Sequence, residues 1–225
     1  YYYYEIEATT YPFTVKYEWE IKYKKGILGF PVFCPQDSYN QSVEKAVYRL
    51  YSSENSDFLY KAINMKAQPE KKSEKKRAYQ EWTLTNLKAI EDEPYSRSLS
   101  TLTPILYIVP RNFTYDKSHG DLSNWKSFGN WEYELLKERN ILPETSKKNL
   151  AEITKGCKTD YEKVKAVYDY LAKTTRYVSI QLGIGGYQPM TATEVAKAGF
   201  GDCKALSNYM GAMLNELGIP ATYTV

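Results

Sequence analysis

The chain has 225 residues, 43% of them hydrophobic and 25% charged, enough for one large or two modest domains that each bury a core. No apolar run is long enough to span a bilayer, and 30 basic against 27 acidic residues is too even a balance to imply a nucleic-acid partner. Two domains, no membrane span and no nucleic-acid binding are the resulting expectations.

The chain starts on Tyr1 rather than Met, and its first seven residues, through Glu7, already read as strand, which predicts further sequence upstream. Over residues 15–23, Val15, Tyr17, Trp19, Ile21 and Tyr23 alternate with Lys16, Glu18, Glu20 and Lys22, the period of a strand with one wet face. Looser strand patterns follow at 43–51, 58–65, 79–87 and 105–113, separated by polar or proline-containing turns. The mixed-charge run 70–77 between two of them predicts a solvated hairpin loop. Residues 1–120 are therefore expected to form an antiparallel β domain, a sandwich, whose half-buried faces use many of the 23 tyrosines.

After Asp116 helical spacing replaces alternation, predicting a helical linker at 121–145 and helices over 131–138, 146–155 and 160–173. Thr159-Asp160-Tyr161-Glu162 is a capping-box pattern, and Tyr161, Val164, Tyr168 and Leu171 form an apolar stripe suited to a core. The sole histidine, His119 in Ser118-His119-Gly120-Asp121, reads as a surface-loop residue. Gly183-Ile184-Gly185-Gly186 lacks the context of a phosphate loop and fits a flexible loop lining a cleft.

Gly201-Asp202-Cys203-Lys204 opens a further helix, with Leu206, Tyr209, Met210, Met213, Leu214 and Leu217 at three- and four-residue spacing and with Gly218 and Pro220 closing it. Asp202 is the natural N-cap, which puts Cys203 at the first helical position, beside unpaired N–H groups at the positive end of the helix dipole. Such positions stabilise thiolates, the form in which a cysteine attacks. Lys204 favours that anion, whereas Asp202 opposes it unless its charge is engaged in capping. Cys34, Cys157 and Cys203 are an odd number and show no metal-ligand spacing, so at least one thiol is free and no metal is implied. Gln181 and Gln188, upstream of the cysteine, are candidate oxyanion donors. The last residues, 221–225, resemble the start of a strand.

Residues 177–225 resemble bacterial transglutaminase-like domains. The likeness is carried by Pro189, the Gly201-Asp202-Cys203-Lys204 signature with its helix, and Gly218-Ile219-Pro220-Ala221, preceded by helix 160–173 and Thr175-Arg176-Tyr177. The first half, with Trp125 and Trp131 at its end, resembles the β-sandwich domain of unknown function that often precedes such domains in Bacteroidetes-type proteins. Ala205 departs from the family, which frequently has Asp there. The resemblance implies an α+β protein: a sandwich at 1–120, a helical linker at 121–145, and at 146–225 the helical first half of a papain-like, transglutaminase-like domain. It implies Cys203 as nucleophile of a thiol acyltransferase or amide or peptide hydrolase that takes a protein or peptide substrate and needs no cofactor. It also implies a histidine and an aspartate downstream of the cysteine, and hence an inactive fragment. A periplasmic or envelope location is expected on the same ground. The alternative is a non-catalytic module that binds a peptide or envelope polymer. Oligomeric state is left open.

Overall fold

The structure is a computed structural model that describes residues 10, 12–18, 20–24, 26–52, 57–75 and 77–224. The strand expected at the first seven residues lies outside this set, as does Trp19.

Among the described residues the first half holds the strands β1 (Val43–Tyr51), β2 (Phe58–Ile63), β3 (Glu70–Glu74), β4 (Arg77–Leu87), β5 (Ile105–Pro110), β6 (Asn112–Tyr115) and β7 (Ser118–Asp121). They pair antiparallel as a three-stranded sheet in the order β1-β4-β3 and as the pairs β2-β5 and β6-β7. Leu50 and Trp82 from the three-stranded sheet share one cluster with Leu106 and Ile108 from β5, which sets the β1-β4 face against the β2-β5 pair. Trp82 is completely buried there, with Tyr48 and Tyr60 edge-on at centroid distances of 6.1 and 5.6 Å.

Three strand-level expectations change. Among the described residues of 15–23 no strand forms, and Val15, Tyr17, Ile21 and Tyr23 are exposed. Alternation says which face each side chain would take, but a strand also needs a neighbour for its N–H and C=O groups. The charged run 70–77 is not a loop, because Glu70–Glu74 is strand β3, paired in register with β4 and exposed at every residue. Pairing to one neighbour satisfies the backbone while leaving the charges in water. The run 105–113 is two strands, since Pro110 has no N–H to continue the ladder and the Arg111 N–H turns to the carbonyl of Asp57 at 3.0 Å.

Among the described residues the α-helices that follow are α1 (Trp125–Leu136), α2 (Glu144–Ile153), α3 (Asp160–Thr174), α4 (Ala192–Ala198) and α5 (Cys203–Glu216), with a short parallel pair of β8 (Arg176–Tyr177) and β9 (Phe200–Gly201). The α3 capping box forms, Thr159 accepting from the Glu162 N–H and Glu162 from the Thr159 N–H. Its buried stripe is rotated from the expected one. Tyr161 and Tyr168 are 78% and 59% exposed, while Val167 and Leu171 are buried and Val164 packs beside them. The two stripes share Val164 and Leu171 at helical spacing, and the close contact goes to the smaller valine while tyrosine hydroxyls reach water. α5 is the centre of the helical core, with Ala205, Tyr209, Ala212, Met213 and Leu214 packed against Leu150, Val167, Leu171 and Val195.

α1 joins the two halves. Trp131 and Leu135 cluster with Phe113 of β6, and the Trp131 indole N–H donates to the Ser118 hydroxyl of β7 at 3.1 Å. His119 lies on β7 rather than in a loop, exposed, with Nδ1 2.9 Å from the Thr114 hydroxyl of β6. Residues 221–224 run on from α5 without forming a strand.

Candidate active site

The chain approaches Cys203 along a path set by two glycines. Gly199 ends α4 in the left-handed conformation at φ 66°. Residues 200–201 then pair with 176–177, and the Val178 N–H reaches the Gly201 carbonyl at 2.9 Å. A Cβ on Gly201 would stand 2.8 Å from the Ala205 Cβ, so only glycine lets β9 run this close under the first turn of α5.

Asp202 follows in extended conformation and caps α5, its Oδ1 accepting the Ala205 N–H at 3.0 Å. Its other oxygen accepts from the Lys204 ammonium. Both partners are interior, with side-chain exposures of 3% for Asp202 and 10% for Lys204, while Cys203 between them is exposed. The aspartate charge next to the sulfur is thus engaged twice, by a backbone donor and by a cation. Cys203 is the first residue of α5, at the positive end of the helix dipole, and open to solvent.

Around this start stand groups that sequence reasoning did not single out. Glu132 of α1 is only 6% exposed, and burial pushes its carboxyl above the usual carboxylate range while Lys204 draws it back. Tyr223 has its hydroxyl pushed up to about 12, first by burial and then by Glu132, Cys203 and Asp202. Tyr187, edge-on to Trp131 at 5.2 Å, is raised by burial and by its neighbours Tyr115 and Glu132. Nothing local marks these residues, which lie far apart in the sequence, on α1, in the stretch before α4 and in the tail. α4 itself was legible: Thr191-Ala192-Thr193-Glu194 is a second capping-box pattern, and the box is formed.

An open groove of about 760 Å³ runs along α5 between Tyr133, Leu136, Asn208, Gly211, Asn215 and Tyr223. A smaller cavity of about 220 Å³ touches Asp202, Arg139, Gln188 and Pro189. Gln188 donates its side-chain N–H to the Leu135 carbonyl at 3.2 Å, closing the end of α1. Gln181 is exposed just before the Gly183–Gly186 stretch, a turn of 3₁₀ helix rather than an open loop. All three cysteines are free. Cys34 is half-buried and donates to the Gln36 carbonyl at 3.5 Å; burial and then Asp37 raise its thiol. Among the described residues, no three or more His, Cys, Asp or Glu side chains are grouped to hold a metal, and no helix is long and apolar enough to cross a membrane.

The structure thus places an exposed cysteine on the first turn of a capped helix, in an α+β chain with helices gathered round that helix. Residues 147–225 match the model of the transglutaminase-like superfamily, to which this part of the chain is similar. The structure is similar to the crystal structure of a proposed protease from Parabacteroides distasonis, with a TM-score of 0.55 and 18% identity over 85% of this chain. This chain spans 36% of that one, and the likeness is one of fold. No curated protein matches the sequence.

Proposed function

We propose that Cys203 is the nucleophile of a transglutaminase-like thiol acyltransferase or peptide hydrolase. The thiolate attacks the carbonyl carbon of a peptide or side-chain amide; a C–S bond forms, the C–N bond breaks, and the amine leaves with a proton. Water or a second amine then resolves the thioester, returning the thiol. The observation that carries this reading is the exposed sulfur at the first position of α5, with Asp202 tied to Ala205 and Lys204. The first-turn N–H groups are the nearest donors for a developing oxyanion. Gln181 remains a candidate second donor; Gln188 would have to release Leu135 to serve. The family resemblance implies a downstream histidine as proton acceptor; His119, engaged by Thr114 on the β6-β7 pair, is not given that role. An envelope or periplasmic setting belongs to the same proposal.

The test is turnover of a glutamine-containing peptide, with and without an added primary amine, by the full-length protein and its Cys203→Ser variant. A Cys203-linked thioester seen by mass spectrometry and lost in the variant supports the reading. The 225-residue chain alone is expected to show no turnover, and Cys203-dependent turnover by it would sink the assignment of the base.

The second reading, a non-catalytic peptide-binding module, is favoured by one observation. Ala205, where the family frequently has Asp, is fully buried against Gly201, so this position serves packing. Full-length protein that binds peptide equally well with Ser at position 203 and forms no thioester would establish it.

A further inference from the structure

Residues 178–190, between β8 and α4, contain one turn of 3₁₀ helix, Gly183–Gly186, after which the Tyr187 and Gln188 N–H groups donate to the Ile184 carbonyl at 2.9 and 2.8 Å. So short a turn has little stability of its own, and its place is set by what it touches. On one side the segment borders the start of α5. The Val178 N–H donates to the Gly201 carbonyl at 2.9 Å, and Ile180, Gly185, Gln188 and Pro189 share the cavity of about 220 Å³ with Asp202, the residue before the thiol. On the other side it meets β6 and α1. The Tyr187 ring stands edge-on to Tyr115 of β6 at 5.8 Å and to Trp131 of α1 at 5.2 Å, and Ile184 packs into the same cluster around buried Phe113, Trp131 and Leu135. Two hydrogen bonds add to this hold: Gln188 donates to the Leu135 carbonyl at 3.2 Å, and Arg139 donates to the Pro189 carbonyl at 2.9 Å.

We propose that Tyr187 is a positioning residue: through its ring contacts with Tyr115 and Trp131, the β half and α1 hold residues 178–189 as one wall of the approach by which a peptide reaches Cys203. Edge-to-face rings favour a particular distance and angle, so they fix where a segment lies as well as adding buried area. The segment they fix carries Gln181, the candidate second donor, and lines the cavity at Asp202. Tyr115 and Trp131 both precede the matched residues 147–225, so this wall of the C-terminal part is set by side chains outside it. The β half is thereby part of the site's binding surface, acting through one tyrosine that itself touches no reacting atom.

This role rests on reading Cys203 as a thiol that meets a peptide, but not on turnover. Its test is the saturation kinetics of Cys203 alkylation by a glutamine-containing peptide bearing a chloroacetyl group, with iodoacetamide as the small reference reagent. Sulfur displaces chloride as the S–C bond forms, and no oxyanion develops, so the limiting rate reports the thiol and the half-saturating concentration reports the wall. Tyr187→Ala is expected to raise the half-saturating concentration about fivefold, with the limiting rate and the iodoacetamide rate within about twofold of wild type, while Tyr187→Phe keeps the ring and the wild-type values. Tyr115→Leu on β6 should act in the same direction, and it decides if Tyr187→Ala does not fold. If neither folds, wild type decides: peptide linked to Cys203 must slow amide exchange at Gly185, Tyr187 and Gln188, and unchanged exchange overturns the role. A wild-type reaction that does not saturate also overturns it, as does a half-saturating concentration unmoved by loss of the ring, which with lowered melting would mark the rings as packing alone. The expected shift in a protein that forms no thioester with an amide substrate would keep the wall and remove the enzymatic reading. Thioester formation with unmoved saturation would do the reverse.

Discussion

Asp202 accepts the backbone N–H of Ala205 at 3.0 Å, and through that bond the residue before the thiol becomes part of the helix that presents it. The same carboxylate holds Lys204, so two roles meet in one side chain of 3% exposure. Losing an N-cap costs about 1 kcal/mol, and leaving one partner of an interior ion pair alone costs about 3–5 kcal/mol. Asp202→Ala is expected to destabilise the protein by about 3 kcal/mol or more, seen as a lower midpoint in urea. Adding Lys204→Met should recover most of the loss beyond the cap. An Asp202→Ala loss of about 1 kcal/mol, unchanged by the second substitution, would show that the ion pair contributes nothing.

The three free thiols should separate under a limiting alkylating reagent. Cys203 is exposed at a helix start, whereas Cys34 is half-buried, bonded to the Gln36 carbonyl and raised by burial and Asp37. Alkylation follows the thiolate and access to it. At about pH 7.5, peptide mapping of the protein should find Cys203 modified about tenfold faster than Cys34. Equal rates would remove the electrostatic argument for the site.

What could be read in advance follows how local the cause is. The Thr159–Glu162 box spans four residues, and its helix begins where the pattern says. The Thr191–Glu194 box is equally local, and it too starts a helix. The central thiol-bearing helix was legible because its cap, apolar spacing and closing glycine lie within one segment. Glu132 was not, since nothing in its own stretch of sequence marks a glutamate on α1 for burial at 6% exposure. Residues 15–23 erred in the other direction, a strong local period with no strand among the described residues. Tyr161 and Tyr168 are a milder case: their spacing fits the stripe, but Val167 takes the core place.

Ser146 of α2 and Tyr209 of α5 place their hydroxyls 3.1 Å apart in the helical core, with residue exposures of 3% and 1%. Such a bond contributes about 1 kcal/mol, and removing one partner strands the other at about 1–3 kcal/mol. Tyr209→Phe and Ser146→Ala should each destabilise in that range, and the double variant should lose less than their sum by at least about 0.5 kcal/mol. Strict additivity in denaturant unfolding would mean that the hydroxyls do not support one another.

Acid should act on the β half through Glu81. This nearly buried carboxylate accepts from Lys72 at 2.5 Å and from Arg49 at 2.6 Å, and those bonds, Lys72 first, hold it below its ordinary value of 4.5. A carboxyl lowered on folding binds its proton more readily in the unfolded chain, so the stability it provides is complete above the ordinary value. That stability is lost as pH falls through the lower folded one. Wild type should therefore lose stability as pH drops from about 5 toward 3. Glu81→Gln should show a shallower decline over that window while being less stable at neutral pH, where its two cations have lost their carboxylate. Thermal melting at half-unit pH steps measures both slopes, and parallel curves for the two proteins would mean that Glu81 is not the group acid titrates.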